Sequence, residues 1–379
     1  MATENNNKTL NVPNLRFPEF SGEWESNELH KVASLSKGAG ISKDQLSDSG
    51  HPCILYGELY TKYKSEIIRE VYSKTQLDLA NLVKSHTNDV IIPCSGEAAI
   101  EIATARCVLI PDVLLGGDLN IIRLNGRHDG GFFAYQLNGK RKVDIAKVAQ
   151  GVSVVHLYGE HLKKVKVAYP SLEEQQKISS FLALLDERIA TQIKIIEKLE
   201  SLIKGLCQKL TQHGNPNTTL NEALVCYSST LQESSVQETG DYPVYGATGV
   251  CGYTDTPEVD GDSILIIKDG ASVGVTYYAS GRYSTIGTLN RLVAKREYSL
   301  RYLYYCLKVF NFAPYRTGLA IPHIYFRDYG KAKVWCPSLD EQQRIADALS
   351  KVEQKIAIEK SLLEQLYSQK RFLLQSMFI

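Results

Sequence analysis

Hydrophobic positions along this chain follow two kinds of pattern, and the longer one occurs twice. From residue 172 to 210 apolar side chains return in alternating steps of four and three: Ile178, Leu182, Leu185, Ile189, then a polar Gln192, then Ile196, Leu199, Ile203, Leu206 and Leu210. The series recurs 167 residues later as Ile345, Leu349, Val352, Ile356, Glu359, Leu363, Leu366, Lys370, Leu373 and Met377. Such steps, held over about five heptads, form the seam of a coiled coil. Each run opens on the same words, Pro170-Ser171-Leu172-Glu173-Glu174-Gln175-Gln176 and Pro337-Ser338-Leu339-Asp340-Glu341-Gln342-Gln343. Ser171 and Ser338 suit an N-cap, and Glu174 and Glu341 three residues on complete a capping box. Two helices of about 40 residues follow, each about 60 Å long at roughly 1.5 Å per residue. Gln192 and Glu359 share one heptad slot, so an antiparallel pair puts them in the same or adjacent layers, where one polar layer fixes register. Residues 171–210 carry six basic and six acidic side chains, as do residues 338–379, so neither helix attracts a polyanion. The pair reads as a rigid spacer.

Ahead of each helix the pattern shortens to strand-length runs. Residues 53–56, 90–93, 107–110 and 120–124 alternate with Gly- and Asp-containing turns, with a short apolar element at 29–35 and one helix predicted over 65–72. The second half repeats this order. Tyr56-Gly57 corresponds to Tyr245-Gly246, Ser95-Gly96 to Asp269-Gly270, and Leu119-Asn120 to Leu289-Asn290. Residues 132–137 correspond to 302–307, and Gly151 with His156-Leu157-Tyr158 to Gly318 with His323-Ile324-Tyr325. An internal repeat of this kind decides the architecture. The fold class is α+β, with two similar globular domains alternating with two long helices that pair as an antiparallel coiled coil. The expected boundaries are a disordered start at 1–12, a first domain at 13–169, a helix at 170–212, a second domain at 213–336 and a helix at 337–379.

Composition narrows the class. With 379 residues, 44% of them hydrophobic and 22% charged, the chain has ample core for two or three domains. No apolar run approaches the roughly 18 residues of a membrane span. The polar start lacks the core of a signal peptide, which predicts a cytoplasmic protein without membrane partners. Eight scattered cysteines (Cys53, Cys94, Cys107, Cys207, Cys226, Cys251, Cys306 and Cys336) contain no C-x-x-C. They are read as reduced thiols, not as a zinc site.

The net charge of +1 conceals an uneven distribution. Residues 119–168 hold nine Lys/Arg against three Asp/Glu, and residues 261–333 hold eleven against four. Two basic regions, one per repeat, suit a partner whose phosphates are engaged at two places. His156 and His323 are read as hydrogen-bonded structural residues. Most of the 22 tyrosines belong to the core, and a few beside arginines can meet bases or phosphates.

The lead-in Leu15-Arg16-Phe17-Pro18-Glu19-Phe20-Ser21-Gly22-Glu23-Trp24 resembles the start of specificity (S) subunits of Type I restriction–modification systems. So do Tyr56-Gly57-Glu58-Leu59-Tyr60, Tyr242-Pro243-Val244-Tyr245-Gly246, Pro322-His323-Ile324 and the doubled Pro-Ser-Leu-[Glu/Asp]-Glu-Gln-Gln. The resemblance implies two target-recognition domains, each reading one half of a split sequence in double-stranded DNA, separated by antiparallel helices that set the gap. It implies two modification (M) subunits, carrying S-adenosylmethionine and methylating adenine at N6, docked largely on the helices. Restriction (R) subunits, using ATP and magnesium, add translocation and cleavage, so no cofactor is expected in this chain. Two similar domains on antiparallel helices should meet the two strands in opposite orientation, with half-sites roughly 34–36 Å apart. Candidate DNA contacts are Arg123, Arg127, Lys140 and Arg141 in the first domain, and Lys268, Arg282, Arg291 and Arg316 in the second.

Catalytic motifs are not found. There is no Asn-Pro-Pro-aromatic sequence, residues 270–274 lack the Gly-Lys-[Ser/Thr] of a phosphate loop, and Glu173-Glu174 suits a helix start. The chain therefore reads as a non-catalytic recognition subunit. A coiled-coil scaffold with two protein-binding domains accounts for the repeat but not for the basic regions, and an enzyme with an unrecognised site lacks any convergent acid, base or metal set.

Overall fold

The computed structural model describes residues 10–151 and 154–379, so most of the start expected to be disordered lies outside the described residues. From Asn11 onward the chain is tied down: the Trp24 N–H donates to the Asn11 carbonyl at 2.8 Å, and Asn11 Nδ2 donates back to the Trp24 carbonyl at 2.5 Å.

The chain forms two units, Met1–Ile193 with Leu362–Ile379, and Lys194–Ser361. The division cuts both long helices, Leu172–Thr211 and Leu339–Ser376, so each unit holds one globular domain and half of each helix. In the first unit a five-stranded sheet runs Ala33–Lys37, Leu119–Leu124, Asp89–Pro93, Arg106–Val108, Ile67–Ile68. In the second unit the matching order is Leu224–Ser228, Leu289–Ala294, Ser263–Ile267, Thr276–Ala279. The central strands Asp89–Pro93 and Ser263–Ile267 are buried at every position, as continuous apolar runs require. A second sheet in each unit contains one parallel pair, His51–Ile54 with Leu114–Leu115 and Tyr242–Gly246 with Arg282–Thr285. The repeat read from the sequence is thus a repeat of pairing geometry.

Residues 65–72 differ from the expected helix. Their period suits one, but Ile67–Ile68 is a strand that pairs in parallel with Cys107–Val108, and sheet pairing outweighs the local preference. The apolar element at 29–35 divides into one helical turn, Leu29–Val32, and the strand Ala33–Lys37.

None of the named seam residues is exposed. In the first unit Ile178, Leu182, Leu185 and Ile189 share a core with Leu363, Leu366, Leu373 and Met377. In the second, Leu199, Ile203, Leu206 and Leu210 pack with Ile345, Leu349, Val352 and Ile356. The start of one helix meets the end of the other in each unit, so the pairing is antiparallel. Ile196, Gln192 and Glu359 are buried too, and Glu359 takes an ion pair from Lys355 at 2.5 Å.

The doubled Glu-Gln-Gln has a specific structural use. Gln175 Oε1 accepts the Asp129 N–H at 3.0 Å while its Nε2 donates to the Pro170 carbonyl at 2.9 Å. Gln342 repeats this on the Ser299 N–H and the Pro337 carbonyl, both at 2.9 Å. Asp129 and Ser299 are the N-caps of the helices Gly130–Asn138 and Leu300–Lys308, so one buried glutamine per unit clamps the domain's main helix to the start of a long helix. A further duplicated bond lies one turn along these helices: Tyr135 donates to Asp186 at 2.7 Å, and Tyr305 to Glu353 at 3.0 Å. The capping box, by contrast, is only half formed at Ser171. Its hydroxyl accepts the Glu174 N–H at 3.4 Å, but the Glu174 carboxylate receives both arms of Arg16 at 2.7 Å. The Leu15-Arg16-Phe17 lead-in thereby staples itself to the helix start, with Phe17 edge-on to Phe181. Gln175→Ala and Gln342→Ala should each cost about 1–3 kcal/mol, the second more than the first, because the N–H that loses its acceptor is buried at Ser299 and part-buried at Asp129. Matched denaturation curves of the two variants would check this.

Candidate nucleic-acid interface

In each unit the duplicated Ser95-Gly96/Asp269-Gly270 and His156/His323 motifs meet at one end of the central strands. After Asp89–Pro93 the chain turns through Cys94-Ser95-Gly96, where Ser95 pairs with His156 and the Leu157 N–H donates to the Cys94 carbonyl at 2.7 Å. Gln150 and His156 close a hairpin by mutual backbone bonds of 2.9 and 2.7 Å. Asn120 adds a side-chain bond to the Leu157 carbonyl at 2.9 Å. A cavity of about 740 Å³ beside this turn is lined by Tyr56, Gly57, Ser95, Gly96, Lys142 and Val154, among others, so the Tyr-Gly and Ser-Gly motifs share one wall.

The second unit repeats the construction. Asp269 bridges His323, the Ile324 N–H donates to the Lys268 carbonyl at 2.9 Å, and Thr317 and His323 close the hairpin with bonds of 2.8 and 2.7 Å. Here the histidine also uses its ring, with Nδ1 2.6 Å from Asp269 Oδ1. His156 has Ser95 opposite it instead; its exposed ring makes no hydrogen bond among the described residues and tilts toward Tyr158. Both histidines therefore close hairpins through their backbones, but only His323 is held by its side chain.

The basic candidates are distributed unevenly around this geometry. Lys268 lies in the turn, and Arg316 stands at the base of the hairpin, donating one N–H to the Val273 carbonyl at 3.0 Å. Arg282 stacks over Tyr242 at 4.5 Å and donates to its hydroxyl, and Arg291 stacks over Tyr227 at 4.3 Å. In the first unit Arg123 grips the buried Asp89 with two bonds of 2.9 and 2.7 Å, and these bonds raise its guanidinium pKa. Arg141 is occupied by Asp144 and the Ile379 carbonyl. Arg127 and Lys140 are exposed, with no side-chain partner among the described residues. Arg127 precedes the Asp129 cap, at the end of the strand Leu119–Leu124 remote from the Asn120–Leu157 bond, so the first-unit candidates do not gather at the motif end.

Sequence reasoning passed over Lys37, which lines a small cavity of about 260 Å³ with Asn120, Lys163 and the motif residue Tyr158. The duplicated Leu119-Asn120 carried the signal, because Lys37 is the ladder partner of Asn120, just as Ser228 is of Asn290. Exposed tyrosines beside cations suit contact with base faces and phosphates. Burial pushes the Cys94 thiol up to about 11, away from nucleophilic use. Among the described residues no group of three His, Cys, Asp or Glu could hold a metal ion, and no helix is long and apolar enough to cross a membrane.

Comparison with known proteins agrees with this geometry. The family described as "Type I restriction modification DNA specificity domain" matches twice, over residues 21–201 and 227–368. The putative type I restriction enzyme MjaX specificity subunit of Methanocaldococcus jannaschii is 26% identical over 219 residues, 55% of this chain and 50% of its own length. The MjaVIII specificity subunit of the same organism is 28% identical over 203 residues, 53% of this chain and 44% of its own. The chain thus spans about half the length of these curated relatives. Among solved structures, the Type I restriction–modification S subunit from M. genitalium has a similar fold, with a TM-score of 0.67 at 19% identity, covering 97% of this chain and 99% of that one. A structure described as underlying complex assembly and conformational transition of the type I R-M system gives 0.57 at 16% identity, covering 94% and 97%.

Proposed function

The chain belongs to the Type I restriction modification DNA specificity family, and on that premise we propose that it is the DNA-reading subunit of a restriction–modification complex. Each unit reads one half of a bipartite, non-palindromic site. The observation that carries this is one frame used twice with different side chains at its open end. At positions related by the repeat, Lys268, Asp269 and Arg316 in the second unit stand against Cys94, Ser95 and Ala149 in the first. A shared frame fits a shared kind of ligand, and unlike side chains at its tip fit unlike sequences.

The cations assigned to DNA are Arg127, Lys140, Lys268, Arg282, Arg291 and Arg316, whereas Arg123 and Arg141 are engaged within their domain. The long helices set the spacer between half-sites and dock two M subunits. Those carry S-adenosylmethionine and methylate adenine at N6; R subunits supply ATP- and magnesium-dependent restriction. This chain contributes recognition without catalysis, in the cytoplasm where the DNA is.

Co-expression with the cognate M subunit and single-molecule sequencing of the host DNA tests the reading. One split motif is expected, with modified adenines on opposite strands about one helical turn apart. A complex that forms but marks no motif would instead favour a protein-binding scaffold. Lys268→Ala and Arg316→Ala should then sort the contacts. A base-reading cation should cost about 1–3 kcal/mol and relax the motif in one half only, while a phosphate contact weakens all sequences alike.

A further inference from the structure

We propose that the hairpin tip at Leu319 and Ile321 is an apolar wedge that enters between two base pairs of duplex DNA and unstacks them. The inference rests on the DNA-reading role of the second unit. Leu319 is fully exposed and Ile321 more than half exposed, at the end of a hairpin held from three sides. Thr317 and His323 close its base, the Gly270 N–H donates to the Pro322 carbonyl at 2.9 Å, and His323 is fixed against Asp269. Gly318 adopts φ +89°, and a Cβ there would stand 2.3 Å from the Ile321 carbonyl, so the turn demands glycine. Among the described residues the first unit repeats the glycine turn and one exposed aliphatic side chain. Gly151 adopts φ +125° with a Cβ that would meet the Val154 carbonyl at 2.0 Å, and Val154, the counterpart of Ile321, is 54% exposed.

A rigid tip with bare aliphatic side chains gains nothing from its own domain. Its surroundings indicate its partner: Arg316 stands three residues before Leu319, and Lys268 is backbone-bonded to Ile324 behind the hairpin. An apolar tip rimmed by cations is complementary to a polyanion with an apolar stacked interior. A protein surface would need carboxylates set around an apolar pocket to match it, whereas the basic excess of residues 261–333, eleven Lys/Arg against four Asp/Glu, favours the polyanion. Aliphatic wedges between base steps unstack and kink duplexes at a cost that is met by the added contact surface. An aliphatic wedge reads no base edge, so it would act at its step whatever the half-site, and the recurrence of the glycine turn at Gly151 and Gly318 fits such a part.

The test uses the full chain with its M subunit, on a duplex carrying the split motif, with 2-aminopurine placed at successive steps other than the methylated adenines. A rise in fluorescence is expected on binding at one step beside the second unit's half-site. The double variant Leu319→Ser, Ile321→Ser, altered only at exposed positions, should lose that rise and bind about tenfold more weakly. A mismatch at that step should restore its affinity, because the unstacking is then already made. Wild-type binding without a rise at any step overturns the wedge while leaving DNA reading intact. So does a variant that keeps the rise, or one that loses only the M subunit, which would mark a protein contact. Failure of the complex to bind any duplex overturns the DNA-reading role and the wedge with it.

Discussion

A chain that ends at Ser361 is expected to lose the fold of the first unit and keep that of the second. The segment Leu362–Ile379 lies far in sequence from the first domain, yet it belongs to that unit. It buries Leu366, Leu373, Leu374, Met377 and Phe378 in the first core, with Phe378 packed on Phe132 at 5.1 Å between ring centres. It also accepts the Leu15 N–H at the Ser376 carbonyl, and Arg141 at the Ile379 carbonyl. At roughly 1.5–3 kcal/mol for each large apolar side chain, the five removed amount to about 10 kcal/mol. That equals the whole stability of an ordinary domain, about 5–15 kcal/mol. The second unit retains its own seam, Ile345 to Ile356 against Ile203 and Leu206, within Lys194–Ser361. Hydrogen exchange resolved by peptide separates the two outcomes. Protection should vanish from Asp89–Pro93 and Leu119–Leu124 and persist in Ser263–Ile267. If the first-unit strands stay protected, the terminal segment is an accessory and not part of that core.

What the sequence made legible was whatever repeats or keeps a period. The two seams, their common offset, the hairpin motifs at His156 and His323 and the correspondence of the two domain helices reappear as equivalent contacts, whereas Tyr56-Gly57 lies at a helix start and Tyr245-Gly246 in a strand. Residues 65–72 were misread because Ile67, Ile68, Val71 and Tyr72 have helical spacing, while the parallel pairing with Cys107–Val108 depends on residues some forty positions away. The capping box was read as self-contained because Arg16, the actual partner of Glu174, lies 158 positions earlier. The site was legible only in outline. Charge counting located both basic regions but could not distinguish Arg123, closed on Asp89, from Arg127, which faces solvent; that distinction rests on a neighbour buried in a strand. Lys37 was missed because it lies outside both basic regions and reaches the motif end only through its ladder with Asn120.

Replacing Lys370 with methionine is expected to destabilise the first unit by about 3–5 kcal/mol near pH 7, the effect of removing one partner from a buried charge group. Lys370 occupies an apolar slot of the second seam, and its ammonium lies 2.5 Å from both Glu66 and Asp186, all three largely buried. Burial opposes the charge of each. For Lys370 the two carboxylates outweigh it and raise the pKa; for Asp186 the ammonium and the Tyr135 hydroxyl outweigh it and hold the carboxyl low. For Glu66 burial wins and the pKa is raised. Without the ammonium, both carboxyls should rise above their unfolded values of about 4. The folded variant then binds protons that the unfolded chain releases, so its stability falls as pH rises through that range and recovers on acidification. In the native protein the raised Glu66 acts in that same sense, but the depressed Asp186 contributes stability above the unfolded pKa that is lost as pH falls, so the two oppose each other and the pH dependence is weaker. Adding Glu66→Gln and Asp186→Asn to Lys370→Met should recover part of the loss, since no carboxylate is left without the ammonium; recovery is incomplete because the buried Arg106, which faces both carboxylates, then keeps only its bonds to the Tyr63, Ala105 and Leu59 carbonyls. The second unit indicates that the ammonium is one solution among several. There Ile203 stands at the position equivalent to Lys370, and Glu353, equivalent to Asp186, takes Lys308 from its own domain at 2.7 Å. Denaturant unfolding of the single and triple variants at pH 5 and pH 7 checks the argument. A single-variant loss that is the same at both values would mean that Lys370 serves by packing its stem and not by its charge.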